Sequence, residues 1–258
     1  MSTNTHAVTL EVGDGVAVIT LNRPEVRNAI DKATADRLAG VLDEVDERTD
    51  IAVAILTGAG GTFCAGMDLK AFSATKQRPV NETRGGFGIV RRPPRKPLIA
   101  AIEGSALGGG LEIALACDLI VAAESSRLGL PEVKRGLVAA AGGVIRLPRR
   151  IPRSVALELI LTGEAVGSPR ALELGLINRI AAEGQSLTVA KDLAAAIAAN
   201  APLAVQAAKR IVEDSADWSL DEGFDRQTAF TDPVRASQDA AEGARAFVEK
   251  RAPVWSGS

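Results

Sequence analysis

The residues that could do chemistry gather around one glycine run. Residues 106–116 read Ala-Leu-Gly-Gly-Gly-Leu-Glu-Ile-Ala-Leu-Ala, so Gly108, Gly109 and Gly110 stand just before an apolar helical stretch. Glycines let a backbone turn sharply and come close to a ligand. A helix begun this way aims unpaired N–H groups over the glycines, which suits negative charge growing on a ligand oxygen. Glu112 sets a carboxylate beside that point. A second segment, Phe63-Cys64-Ala65-Gly66-Met67-Asp68-Leu69, has the same small-residue character at a strand end. Convergence of the two loops would bring two backbone amides onto one oxygen, an oxyanion hole. The plain alternative is that these glycines serve tight turns and helix packing; the similarity of the two contexts weighs toward the catalytic reading.

Glu132, after Pro131, is the carboxylate that could pair with Glu112. Each also has a structural explanation. An acid at a helix N-terminus contributes up to about 1 kcal/mol without any catalytic role, and Pro-Glu is an ordinary helix opening. Spacing alone does not bring them together. His6 is the only histidine and tyrosine is absent, which excludes a Ser-His-Asp triad and a histidine-ligated metal. Chemistry here must run on carboxylates, backbone groups or hydroxyls. Cys64 and Cys117 are too few for a disulfide framework and read as buried free thiols in a reducing cytoplasm. The glycine run is not Gly-x-Gly-x-x-Gly, and no P-loop Lys-Ser/Thr follows it. A formal charge of −2 gives no electrostatic case for nucleic acid. Arg91-Arg92, Arg95-Lys96 and the set Arg146, Arg149, Arg150 and Arg153 read as solvated faces, and Arg84-Gly85-Gly86-Phe87-Gly88 as loop.

The elements that must position these groups follow from periodicity. Val8–Val12 and Val16–Leu21 flank Gly13-Asp14-Gly15 as a hairpin. Asp31 to Val45 carries apolar residues at helical spacing, and Ile51–Thr57 is a buried strand. Between Ser73 and Arg95 the chain turns polar and predicts a mobile loop or lid. Pro97–Ile102 predicts a strand, followed by a helix from Gly109 to Cys117 and a strand over Asp118–Ala122. The run from Pro97 to Ala123 is long enough for a membrane span, but Glu103, Glu112, Asp118 and three glycines make it a buried strand–helix–strand. Alternation of this kind predicts a largely parallel α/β sheet. From Ser154 onward Val155–Leu161, Pro169–Leu174, Leu187–Ala199, Pro202–Ser215 and Leu220–Phe230 predict helices. The chain divides into an α/β core over 1–200 and a helical region over 201–258, with no flexible linker between them. The start, Met1 to His6, is a polar tail without the pattern of a secretion signal.

With these residues in order, the chain resembles the crotonase (enoyl-CoA hydratase/isomerase) superfamily along almost its whole length. The match is carried by Ile19-Thr20-Leu21-Asn22-Arg23-Pro24, Arg27-Asn28-Ala29, residues 63–69, Ala106 to Glu112, Cys117-Asp118 and Leu130-Pro131-Glu132. It continues through Gly142-Gly143, Arg146-Leu147-Pro148, Leu161-Thr162-Gly163, Gly175-Leu176-Ile177, Glu242-Gly243 and Phe247 to Arg251. The resemblance implies a spiral of β-β-α turns with a C-terminal helical trimerisation region. It implies a homo-oligomer, a trimer or dimer of trimers, and an acyl-CoA thioester substrate, with no metal, no separate cofactor and no membrane. Carried over by position, the Ala65 and Gly109 amides would form the oxyanion hole. Val26, Arg27, Ala29, Asp68 and Leu69 would line the CoA pocket, and Lys250 would approach a CoA phosphate.

Glu112 and Glu132 match the carboxylates that hold one water for addition to a 2,3-double bond, with Glu112 as base and Glu132 as acid. Retention of both favours hydration over isomerisation, since members that only isomerise often keep the one at Glu132. Ala139-Ala140 departs from the Pro-Gly of typical hydratases, at a loop that approaches the acyl end. The alternatives are therefore an enoyl-CoA isomerase, a dehydratase of a carnitinyl-CoA-like hydroxyacyl thioester, and a non-catalytic acyl-CoA binder. The carboxylate pair weighs against the last, because burying two acids has a cost that binding alone does not require.

Overall fold

The computed structural model describes residues 7–258, so the N-terminal tail with His6 lies outside the described residues. In chain order the strands are β1 (Val8–Gly13), β2 (Val16–Leu21), β3 (Val53–Gly58), β4 (Val80–Asn81), β5 (Gly85–Gly86) and β6 (Leu98–Ile102). They continue as β7 (Ser105–Leu107), β8 (Leu119–Ala123), β9 (Arg127–Gly129), β10 (Val166–Gly167) and β11 (Arg179–Ala181). β1 and β2 form the expected hairpin, and β2, β3, β6, β8 and β11 then lie side by side in parallel. β6 is buried along its whole length, which is why the central strands read as continuous apolar runs and not as alternations.

A second row of short extended pieces runs beside this sheet. Ile30 bridges Met67, Cys64 bridges Ala106, β7 pairs with β9, and β9 pairs with β10. Successive turns of the chain thus give one strand to each row and then a helix, the β-β-α spiral. Their helices are α1 (Lys32–Glu47), α2 (Leu69–Thr75), α3 (Gly109–Leu115), α4 (Gly143–Arg150), α5 (Arg153–Thr162), α6 (Ser168–Glu173) and α7 (Ser186–Ala198). Asp31 caps α1 by accepting from the Thr34 amide at 2.8 Å, and Leu38, Val41, Leu42 and Val45 face the core. α7 covers the other face of the large sheet, with Ala190 and Ala194 packed on Val53, Ile55, Ile99 and Val121.

The apolar run 97–123 becomes β6, β7, α3 and β8, and among the described residues no single helix is long and apolar enough to cross a membrane. The C-terminal region holds α8 (Pro202–Asp214), α9 (Leu220–Arg226), α10 (Thr228–Arg235) and α11 (Gln238–Glu249). No residue of α8, α9 or α10 is buried. The continuous helix expected over Leu220–Phe230 is divided between α9 and α10.

The polar stretch read as a mobile loop is tethered instead. Arg84 is 1% exposed and donates to Asp43 at 2.8 Å, to Asp46 at 3.0 Å and to the Arg92 carbonyl at 2.8 Å. A buried guanidinium with three acceptors holds the stretch against α1. Several cations expected on solvated faces also serve backbone carbonyls. Arg146 donates to Val90 O at 2.5 Å, Arg150 to Cys117 O at 2.9 Å, and the buried Lys96 ammonium to Arg48 O. Both cysteines are buried free thiols, and burial pushes each thiol up to about 12.

Candidate active site

Two loops that touch build the centre of the site. The strand-like piece from Cys64 runs beside β7, with Cys64 N donating to Ser105 O at 3.3 Å. Gly66 (φ 91°) and Gly108 (φ 57°) hold conformations that a side chain disfavours. Each is also crowded. A Cβ built on Gly66 would lie 2.9 Å from Gly109 N, and one on Gly108 would lie 3.0 Å from Glu132 Oε1. The glycines are thus needed to bring the two loops and Glu132 together.

The amide expected from the first loop is not the free one. Ala65 N–H donates to Arg27 O at 3.0 Å, so it is already committed within the fold. In the bridge to Ile30, Gly66 O accepts from Ile30 N at 2.8 Å and Asp68 N donates to Ile30 O at 2.9 Å. Alternation along an extended strand then turns the Met67 N–H away from Ile30. Met67 N–H and Gly109 N–H have no hydrogen-bond partner among the described residues. Sequence reasoning named Ala65, whose amide is taken; the period-2 rule applied to the bridge points to the Met67 amide two residues on.

Glu112 sits in the first turn of α3 and is 3% exposed. Its Oε1 accepts from Ala141 N at 2.7 Å and from Gly143 N at 2.9 Å. Burial pushes its carboxyl above the usual range, against the pull of those two amides; the charge of Glu132 adds to the rise and Arg146 opposes it. Glu132 opens a short 3-10 turn over Pro131–Arg135, placed by β9, whose Gly129 O accepts from Gly108 N at 2.9 Å. Its Oε2 is buried without a hydrogen-bond partner among the described residues. Burial raises its carboxyl too, against its own backbone and Arg135. The structure therefore brings Glu132 against Gly108 and near enough to Glu112, in the helix that Gly108 opens, for its charge to act on it. The amides of Ala141 and Gly143 were missed in the sequence, where a backbone donor carries no side-chain signature.

The segment proposed for CoA lies beside the same loop. Asn28 is buried and donates to Ala59 O at 2.8 Å and Thr62 O at 2.6 Å, which fixes the turn carrying Val26, Arg27 and Ala29. Asp68 is engaged elsewhere. It caps α2 by accepting from Ala71 N at 2.9 Å and pairs with Arg23 at 3.0 Å. Burial pushes this carboxyl up, but the Ala71 amide and Arg23 outweigh it and leave it below the usual range. Leu69 is 56% exposed at the start of α2. Lys250 ends α11, exposed, and no hydrogen bond or ion pair among the described residues joins it to residues 26–29 or 65–69.

Two amides without a partner among the described residues, beside the buried Glu112 and the half-buried Glu132 on a β-β-α spiral, suit proton transfer next to a carbonyl that gains negative charge. The family model described as enoyl-CoA hydratase/isomerase matches residues 11–258. Enoyl-CoA hydratase EchA19 of Mycobacterium tuberculosis is 44% identical over 92% of this chain and 91% of its own length. Carnitinyl-CoA dehydratase of Proteus mirabilis is 38% identical over 100% of both chains. The crystal structure of enoyl-CoA hydratase EchA1 from Mycobacterium marinum superposes with a TM-score of 0.95 at 52% identity, covering 98% of this chain and 99% of that one. This chain belongs to the enoyl-CoA hydratase/isomerase family, within the crotonase superfamily.

Proposed function

We propose that the protein is an enoyl-CoA hydratase that adds water across the 2,3-double bond of a 2-enoyl-CoA. The observation that carries this reading is the Glu112–Glu132 pair beside the unpartnered Met67 and Gly109 amides, with Glu132 Oε2 buried and unpaired. The thioester oxygen would accept from both amides, which stabilise it as charge develops there. Glu112, whose Oε1 is held by two amides, is favoured as the carboxylate. It takes a proton from water as the water oxygen bonds to Cβ. Glu132, with no donor on its buried Oε2, is favoured as the acid and delivers a proton to Cα as the enolate collapses. The proton gained by Glu112 replaces the one lost by Glu132, so the pair carries a single shared proton at the start of each cycle.

The test is direct. Crotonyl-CoA and longer enoyl-CoAs are mixed with the protein, and loss of the conjugated enone absorbance is followed with mass detection of product. Hydration adds one water; isomerisation adds nothing. Folded protein that turns over no enoyl-CoA overturns the reading. The full-length likeness to carnitinyl-CoA dehydratase supports a second reading, dehydration of a hydroxyacyl-CoA. It uses the same two glutamates in reverse and is told apart by the preferred acyl group. That α8, α9 and α10 bury no residue supports assembly as a homo-oligomer, a trimer or dimer of trimers.

A further inference from the structure

The turn Arg84-Gly85-Gly86-Phe87-Gly88 lies against the reacting end of the site. Phe87 has φ 55°, in the left-handed region that glycine enters freely and a bulky residue does not. Glycines stand on both sides of it, yet this position carries a ring, and the ring is buried. A Cβ built on Gly109 would lie 2.3 Å from Phe87 Cζ and within 2.8 and 2.9 Å of Cε2 and Cε1. The ring edge therefore rests on the Gly109 Cα. From another side Gly109 N is closed in by Gly66.

The turn has no room to retreat. Phe87 N donates to Pro79 O at 2.6 Å, and a Cβ on Gly88 would lie 2.0 Å from Ala35 O of α1. Arg84 locks the same turn to Asp43 and Asp46. Gly86 reaches the other half of the site, where its Cβ would lie 3.3 Å from the Ala141 side chain.

We propose that Phe87 is a positioning residue: its ring presses on Gly109 and fixes the direction of the Gly109 N–H toward the thioester oxygen. The proposal rests on the hydratase reading of the site. A glycine at the start of a helix has no side chain of its own to hold it, and its amide is useful only while aimed at the growing charge. The ring supplies that constraint from outside.

The experiment uses Phe87→Ala and Phe87→Leu with butyryl-CoA labelled with carbon-13 at the thioester carbonyl. This saturated ligand has no double bond to hydrate. Its carbonyl resonance moves downfield on binding in proportion to polarisation of the oxygen. Phe87→Ala is expected to shrink that shift and to lower kcat on crotonyl-CoA about 10- to 100-fold, with KM little changed. Phe87→Leu is expected to fall between, and is the variant read if the alanine variant does not fold. Gly109→Ala collides with the ring, so it should lower kcat less in the Phe87→Ala background than in the wild type. Folded variants with wild-type shift and kcat, or an equal Gly109→Ala loss in both backgrounds, overturn the proposal. Wild-type protein that polarises the carbonyl but hydrates no enoyl-CoA overturns the hydratase reading alone.

Discussion

Glu112 and Glu132 share a buried neighbourhood but differ in what holds them. Two amides converge on Glu112 Oε1, whereas Glu132 Oε2 has no donor among the described residues. Hydrogen bonds to the charged form favour it, and burial without them favours the neutral form. Glu132→Gln removes the transferable proton while keeping shape, so kcat should fall about 100- to 10,000-fold with CoA affinity unchanged. Steady-state rates and calorimetric titration with CoA check this. The same asymmetry sets a pH effect on stability. The folded-state Glu132 carboxyl lies above its ordinary 4.5, so between that value and the raised one the folded protein binds the extra proton. Stability then declines as pH rises through this window and stays lower at neutral pH. Glu132→Gln escapes the decline. Urea unfolding should find the variant more stable than the wild type at pH 7 and no more stable near pH 4. An equal difference at both values would contradict the assigned cause.

Elements place these groups through anchors that differ in how plainly they are written. Arg84 holds the turn with Phe87 against α1 through Asp43 and Asp46, which are themselves partly exposed. Replacing it with Met leaves those acceptors to water and removes the tether. A loss of about 2 kcal/mol is expected, below that of a fully buried pair, with kcat falling alongside. Urea midpoints and initial rates check both. The sequence reading took Arg84 for part of a loop, and Arg146 and Arg150 for solvated cations. A guanidinium on a buried carbonyl and one in water look alike until the chain is folded. β2, β3, β6 and β8 were legible because burial on both faces leaves unbroken apolar runs. β7, β9, β10 and β11, at two or three residues each, are too short to show a period. The site was legible to the same degree. Glu112, Glu132 and Gly109 stood out by type and context, whereas Met67 offers only an amide, which any residue but proline has.

At the scale of the whole molecule, the spiral core and the C-terminal helices differ in how much they enclose. The core buries nearly every residue of β3 and β6, whereas α8, α9 and α10 bury none of theirs. α9 leaves Phe224 62% exposed, and α11 leaves Phe247 85% exposed. Single apolar residues in water are ordinary, but two exposed aromatic rings in a helical region where α8, α9 and α10 bury no residue mark a surface that gains by being covered. A second copy of the chain is the simplest cover, since closed symmetric assembly repeats one contact without a new partner. Light scattering on the eluting protein should return three or six times the mass of one chain. Phe224→Asp combined with Phe247→Asp places charges where apolar contact is expected and should shift the population to smaller species. Wild-type protein that runs as a monomer at micromolar concentration would refute the assembly. Smaller species that keep the wild-type kcat would show that each subunit carries a whole site. A loss of activity in proportion to dissociation would show that a neighbouring subunit completes the site. Lys250, which among the described residues makes no ion pair with the Val26–Ala29 segment of its own chain, is then the candidate, and Lys250→Ala in the intact assembly tests it.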